Sequence, residues 1–303
     1  MKSSTDITWR FRRRLLVVLF AFLCCLPAPA AWPQPSYARA EDQSSFLRLK
    51  EHFETLAQRY SDPIILTCLA VETTAQAWTL AAARLAEDSA GQVKWQARAL
   101  DFEKSWSSSR DWDSRHRQAL KVYYEALSEV ARKVAGFYPN GRQNAELAVV
   151  LDRNERAMAA LSKNPDDYLE KETFSYGLMN LADLIIRSTD LELDQPADLI
   201  MDAVIKETRA LRRQKGLHYR ARLAFIYAAQ IQGLTDMLFL LGQAAGPPLS
   251  RPLTEVRIAL DKEGADSNLP TNLSLIWTAQ AQASLPLAYW LSTRPRAGFG
   301  GHP

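Results

Sequence analysis

The sequence predicts an all-α protein of about nine or ten helices, joined as antiparallel hairpins into a large helical bundle or array. Apolar residues recur at steps of three and four along most of the chain, as in Phe46, Leu49, Phe53 and Leu56. No stretch alternates apolar and polar residues as a half-buried strand would, and only 12 of the 303 residues are glycine. The periodic segments are separated by short interruptions, which favour antiparallel neighbours.

Capping and breaking residues predict where these helices begin and end. Asp62-Pro63 has the composition of an N-cap followed by a first helical residue, whereas Gly136 and Gly246-Pro247-Pro248 are typical of helix ends. Pro286 predicts a bend within the last helix. The expected helices cover residues 45–60, 62–86, 95–106, about 111–134, 147–161, 164–187, 196–216, 217–246, 252–263 and 270–292.

The N-terminus resembles a secretory signal. Arg10 and Arg12-Arg13-Arg14 precede an unbroken apolar run, Leu15 to Leu26, and small-residue cleavage patterns end at Ala30 and Ala40. We therefore expect a signal peptide and Pro-rich processing region over residues 1–40, with the exact cleavage site open. Residues 41–293 form the expected all-α domain, and a subdivision of this domain near 139–141 is left open. We expect residues 294–303 to form a flexible tail. The expected location is periplasmic or secreted.

Charge and cysteine content narrow the function classes. Without residues 1–40, the chain's 37 basic and 34 acidic residues become 31 and 33, so the expected mature protein carries a net charge of −2. This balance does not support nucleic-acid binding. Cys68 would be the single remaining cysteine, so no intramolecular disulfide is expected and the hydrophobic core must hold the fold.

Three segments are almost free of charge and are predicted to be the central helices. Residues 63–83 contain one charged residue, Glu72; residues 223–250 contain one, Asp236; residues 267–293 contain none. A buried carboxylate is costly unless it is paired or hydrogen-bonded. These two carboxylates therefore need a structural or functional explanation.

One interpretation is a polar pocket formed by Glu72, Gln76, Gln232 and Asp236, with Gln280 and Gln282 available on the uncharged helix. In such a pocket a carboxylate binds a cation or acts as a general acid. The alternative, which we favour, is an internally satisfied polar network or two carboxylates at the edges of their helices. Sequence spacing does not show that the two carboxylates meet.

Asp111-x-Asp113-x-x-His116 contains oxygen and imidazole groups at the start of a predicted helix. The arginines around it, Arg110, Arg115 and Arg117, would repel a divalent cation. We therefore predict no metal site here and interpret the carboxylates as helix-start residues favoured by the helix dipole.

The densest basic cluster is a candidate patch for an anionic partner, such as phospholipid headgroups, acidic polysaccharide or an acidic protein face. The alternative is a set of cations that matches the negative end of a helix dipole. Its members are Lys206, Arg209, Arg212, Arg213, Lys215, Arg220 and Arg222.

The uncharged residues 267–293 are long enough to span a membrane, and Tyr289 and Trp290 suit an interface. Polar residues such as Asn272 and Gln280 favour a buried helix instead. Membrane association thus stays open but is not the preferred interpretation.

Together these features predict an exported helical binding or assembly module that contacts another protein or an envelope component. The alternative is a cell-envelope enzyme or small-ligand binder that uses Glu72 and Asp236. We expect no cofactor, no metal and no nucleic-acid partner, and a role without catalysis is favoured. The sequence leaves the oligomeric state open.

Overall fold

The computed structural model describes residues 40–86, 88–105, 111–135, 247–264 and 268–293, together with the single positions 159, 228, 231, 235 and 238. All of them belong to one compact unit, Ala38–Pro303, and none to the other unit, Met1–Tyr37. Six helices are described and no strand occurs among these residues, which confirms the all-α class. The helices are α1 Ala40–Arg59, α2 Pro63–Leu85, α3 Ser89–Ser105, α4 Trp112–Ala135, α5 Pro247–Glu263 and α6 Leu269–Thr293.

Helix α2 begins where the sequence predicts. The side chain of Asp62 accepts a hydrogen bond from the backbone N–H of Ile64 at 2.9 Å, and Pro63 occupies the first turn. A carboxylate cap satisfies a backbone donor that the helix itself leaves open, and proline has no N–H to lose at this position. The predicted start at Asp62-Pro63 is confirmed.

Helix α2 is buried on nearly every side, from Thr67 to Ala83, apart from the half-buried Gln76 and Leu80. Four threonine hydroxyls on this helix each donate to the carbonyl four residues earlier, so these polar groups enter the core already satisfied. A helix that is apolar all round belongs in the interior. The four threonines, with distances of 2.7, 2.8, 2.8 and 2.6 Å, are Thr67, Thr73, Thr74 and Thr79.

The other described helices surround α2. Helices α6 and α4 contact it most extensively and α3 less so, while α1 contacts both α2 and α6, and α5 packs against α6. Trp78 on α2 donates its indole N–H to Ser284 Oγ on α6 at 3.1 Å, and Tyr123 on α4 meets Trp277 on α6 edge to face at 5.8 Å. These large buried side chains join three helices, and the predicted central positions of α2 and α6 are confirmed.

Helix α1 covers one side of this core. Phe46 meets Tyr289 of α6 with ring centroids 5.6 Å apart, and the guanidinium of Arg84 lies 5.0 Å from the Phe46 ring centroid. The buried residues Phe46, Leu49 and Phe53 follow the predicted seam. The cation–π contact fastens the C-terminal end of α2 to α1.

Three helix starts lie earlier than predicted. Helix α1 starts at Ala40 rather than near Ser45, and α3 starts at Ser89 rather than near residue 95. Helix α5 starts at Pro247 rather than at residue 252, so Pro252 lies inside it. Pro252 has no backbone N–H, so α5 loses one hydrogen bond near its N-terminus. This loss destabilises the helix less than a proline in the middle of a longer helix would.

Among the described residues, α2 is the one helix whose length and composition would allow it to cross a membrane. Most of its apolar stretch is buried inside the protein, and a core helix satisfies the same criterion. Helix α6, the segment that raised the membrane alternative in the sequence, does not meet it.

Several sequence predictions fall outside the described residues. They include residues 1–39 of the predicted signal region 1–40, the helices predicted over 164–187 and 196–216, and the tail over 294–303; of the helix predicted over 147–161 only Ala159 is described, and it is helical. Within the predicted helix 217–246, the described positions Ile231, Thr235 and Leu238 are helical and buried.

Candidate functional site

Glu72 is buried, as predicted, and its partner is Arg115 of α4. Arg115 Nε donates to Glu72 Oε1 and Arg115 Nη2 donates to Glu72 Oε2, both at 2.8 Å. The side chains are 1% and 6% exposed for Glu72 and Arg115, respectively. The planar guanidinium thus meets both carboxylate oxygens in a two-pronged contact, the strongest geometry for this type of pair.

Aromatic and thiol groups surround the pair. The Arg115 guanidinium lies 4.6 Å from the Trp112 ring centroid, and the edge of Tyr60 approaches the same indole, with centroids 6.3 Å apart. The thiol of Cys68 lies 3.6 Å from the Trp112 carbonyl oxygen and 3.9 Å from Glu72 Oε1. We call Glu72, Arg115, Trp112 and Cys68 the ion-pair cluster.

The helical phase of α4 explains why an arginine reaches the core. Arg115 stands four residues before the fully buried Ala119 and eight before the buried Tyr123, so these residues share one face. Helix α4 starts just after Asp111, whose carboxylate accepts from the backbone N–H of Ser114 at 3.1 Å. Glu72 occupies the facing side of α2, and α2 and α4 pack closely.

Asp111 acts as a helix-start residue, which confirms the interpretation of that motif as capping chemistry. Our expectation for Arg115 needs correction, because we had treated it as one of the cations around Asp111. The arginine instead points into the interior, where Glu72 compensates its charge. Within the described part of the chain, no group of three or more His, Cys, Asp or Glu residues is arranged to hold a metal ion.

The structure places only part of the predicted polar pocket. Glu72 is in the ion-pair cluster, and Gln76 is half-buried one turn further along α2. Gln232 and Asp236 lie outside the described residues, so the polar pocket stays the alternative interpretation. All seven members of the predicted basic patch, from Lys206 to Arg222, also lie outside them.

In the described part of the chain, the buried polar atoms without a hydrogen-bond partner include Gln76 Oε1 on α2, Ser128 Oγ on α4 and Gln280 Oε1 on α6. Such atoms cost free energy unless water or a ligand satisfies them. Gln280 lies between Trp277 and Ser284, which contact α4 and α2. Gln76 is two residues from Trp78 and therefore on a different face of α2.

The environment of Tyr123 perturbs the ionisation of its hydroxyl. Burial raises the pKa of its hydroxyl well above the ordinary value of 10.0, and Tyr124, whose ring centroid lies 5.0 Å away, raises it further. Both causes disfavour the phenolate. Tyr123 therefore acts as a neutral core residue at physiological pH.

Arg115 is the site residue that the sequence interpretation missed, although a signal was present. Arg115 is the charged member of the α4 face that carries Ala119 and Tyr123, just as Glu72 is the charged member of α2. Two opposite charges on two apolar helix faces suggest a buried pair. The distance of 43 residues between them made this pairing invisible to local spacing.

No protein-family model, no curated protein and no solved structure matches this chain.

Proposed function

We propose that this chain is an exported helical binding or assembly module whose helix surfaces contact another protein or an envelope component. The proposal includes a cleaved N-terminal signal and a bundle of about nine or ten helices in antiparallel hairpins. The described core supports a scaffold role, since α2 is enclosed by four other helices.

The observation that carries the proposal is the internal use of the buried charges. Glu72, the buried carboxylate among the described residues, gives both oxygens to Arg115, and the pair brings no net charge into the core. A cation at this carboxylate would have to compete with the guanidinium, which already compensates its charge inside the protein. The ion-pair cluster therefore fits a structural role better than a catalytic one.

Exposed apolar side chains offer contact points on the outer surfaces of the helices. Ile64 at the start of α2 is 57% exposed, Val93 on α3 and Ile258 on α5 are similarly exposed, and Leu47 lies on α1. Single exposed apolar residues are common on folded proteins. They nevertheless mark where burial against a partner would contribute most.

Site-specific photo-crosslinking in the native host tests this proposal. A photoreactive residue is placed at Ile64, Val93 or Ile258, with the fully buried Ala119 as the matched control. We expect at least one exposed position to give a discrete adduct with one envelope component and the control to give none. The absence of any discrete adduct, or identical adducts from all positions, would contradict the proposal.

A small-ligand binder or envelope enzyme is the second candidate, and one observation favours it. Gln76 belongs to the predicted pocket, and its buried Oε1 has no hydrogen-bond partner in the structure. A ligand N–H or O–H would satisfy this oxygen.

The variant Gln76→Leu separates the two candidates. If the oxygen is merely an uncompensated cost, removing it raises the free energy of unfolding by roughly 1 kcal/mol. If it binds a ligand, a low-molecular-weight envelope extract raises the melting temperature of the wild type but not of the variant, because a ligand stabilises only the state that binds it. Thermal melts with and without the extract distinguish these results.

A further inference from the structure

Helix α2 makes few directional contacts with its neighbours. Most of its buried side chains are alanine or threonine, and the threonine hydroxyls bond within their own helix. Small, similar side chains exchange neighbours at little cost when one helix slides or rotates against another. Alanine contacts therefore specify the position of α2 only weakly.

The longer-range polar contacts of α2 with the other described helices differ from this pattern, and two of them have close hydrogen-bond geometry. Trp78 donates to Ser284 and fixes α2 against α6, whereas Glu72 accepts from Arg115 and fixes α2 against α4. Each of these contacts joins α2 to one of the two helices that contact it most extensively.

A change of register would affect the ion pair far more than the apolar contacts. Sliding α2 by one residue moves Glu72 by about 1.5 Å along the helix axis and turns its side chain by about 100°. Both 2.8 Å bonds would be lost and two charges would remain in the core without each other. Leaving buried charges unpaired is among the costliest changes in a protein interior.

We propose that Glu72 and Arg115 form a register lock, a contact that selects one alignment of α2 against α4 rather than adding to overall stability. A well-packed apolar pair at the same positions would be equally stable but would permit several alignments. The inference is independent of the proposed function, because it concerns only the packing of α2 on α4.

The test replaces both charges in the full mature chain, as Glu72→Met together with Arg115→Met. We expect a melting temperature no more than about 5 °C below that of the wild type, since the apolar pair avoids the desolvation cost. We also expect multiple or broadened amide NMR signals from α2 and α4, and amide hydrogen exchange in α2 at least about tenfold faster than in the wild type.

Two comparison variants make the result specific. Glu72→Gln with Arg115→Gln keeps a directional hydrogen bond and is expected to retain one sharp set of signals. Arg98→Met with Glu125→Met removes the half-exposed pair that joins α3 to α4 at 2.7 Å, and we expect wild-type signals.

A single sharp set of signals with wild-type exchange in the Met/Met variant would overturn the register lock. Failure of that variant to fold would also overturn it, because the pair would then supply stability. Line broadening as strong in the Arg98/Glu125 variant would show that the effect is not specific to the buried pair and would reject the proposal.

Discussion

Two ion pairs attach α4 to neighbouring helices at nearly equal distances but in different surroundings. Arg115 meets Glu72 of α2 at 2.8 Å with side chains 6% and 1% exposed, whereas Arg98 of α3 meets Glu125 at 2.7 Å with side chains 36% and 25% exposed. The distance between the charged groups therefore does not distinguish the two pairs. The access of water distinguishes them, because it sets both the cost of desolvating the charges and the screening of their attraction.

This comparison implies opposite consequences when one partner is removed. Deleting one member of the outer pair leaves a charge that water can solvate. Deleting one member of the inner pair leaves a charge that the core cannot solvate. The same chemical contact is thus an ordinary surface feature at the edge of α4 and a structural requirement in the interior.

The largest effect is expected for Arg115→Met. This change leaves the Glu72 carboxylate in the core without the guanidinium that now contacts both of its oxygens. We expect a loss of about 3–5 kcal/mol in the free energy of unfolding, measured by urea denaturation. A loss below about 1 kcal/mol would place the buried pair in the same class as the surface pair.

A smaller effect is expected for Trp78→Phe, which tests a neutral contact in the same core. The variant removes the N–H that donates to Ser284 at 3.1 Å and leaves a small void. Together these changes should cost roughly 1–3 kcal/mol. Adding Ser284→Ala to Trp78→Phe should recover part of the lost free energy of unfolding, as measured by urea denaturation. If nothing is recovered, the void rather than the missing hydrogen bond causes most of the loss.

Tyr123 predicts a specific loss of stability in alkali. Its folded-state pKa lies above the unfolded value of 10.0, because burial and then Tyr124 disfavour the phenolate. The stabilisation is complete below pH 10 and is lost as pH rises from there through the folded-state pKa, by about 1.4 kcal/mol per pH unit. Tyr123→Phe should remove this component from unfolding curves between pH 9 and about 11, and an unchanged slope would refute the assignment.

The smallest effect is expected for Arg98→Met. Its partner Glu125 stays partly exposed, so water replaces the guanidinium. The free energy of unfolding should fall by less than about 1 kcal/mol, and by less still at high salt. A loss comparable to that of Arg115→Met would remove the distinction between the two pairs.

The sequence predicted the features of this fold that depend on local chemistry. Asp62 and Pro63 marked the start of α2 because capping involves neighbours in the chain. The low charge of α2 and α6 predicted their central positions, since burying charge is costly. The start of α5 was misplaced because Pro247-Pro248 was assigned to the end of the preceding helix, whereas these prolines occupy the first turn of α5, where a missing backbone N–H costs little.

The sequence analysis identified only one of the two charged residues of the ion-pair cluster. Glu72 was recognised because a lone carboxylate on an apolar helix stands out in sequence, but Arg115 was hidden among arginines that looked solvent-exposed. Which of those arginines enters the core depends on the phase of α4, and that phase follows from its start at Trp112. The predicted helix start at Asp111 to His116 did not by itself assign Arg115 to the buried face of the helix.

A double-mutant cycle at each pair tests the central claim most directly. Glu72→Gln, Arg115→Met and their combination are compared with Glu125→Gln, Arg98→Met and their combination, using free energies of unfolding from urea denaturation. The account predicts a coupling energy of about 2–3 kcal/mol for the buried pair and below about 1 kcal/mol for the half-exposed pair. Equal coupling at the two sites, or a buried coupling below about 1 kcal/mol, would contradict it.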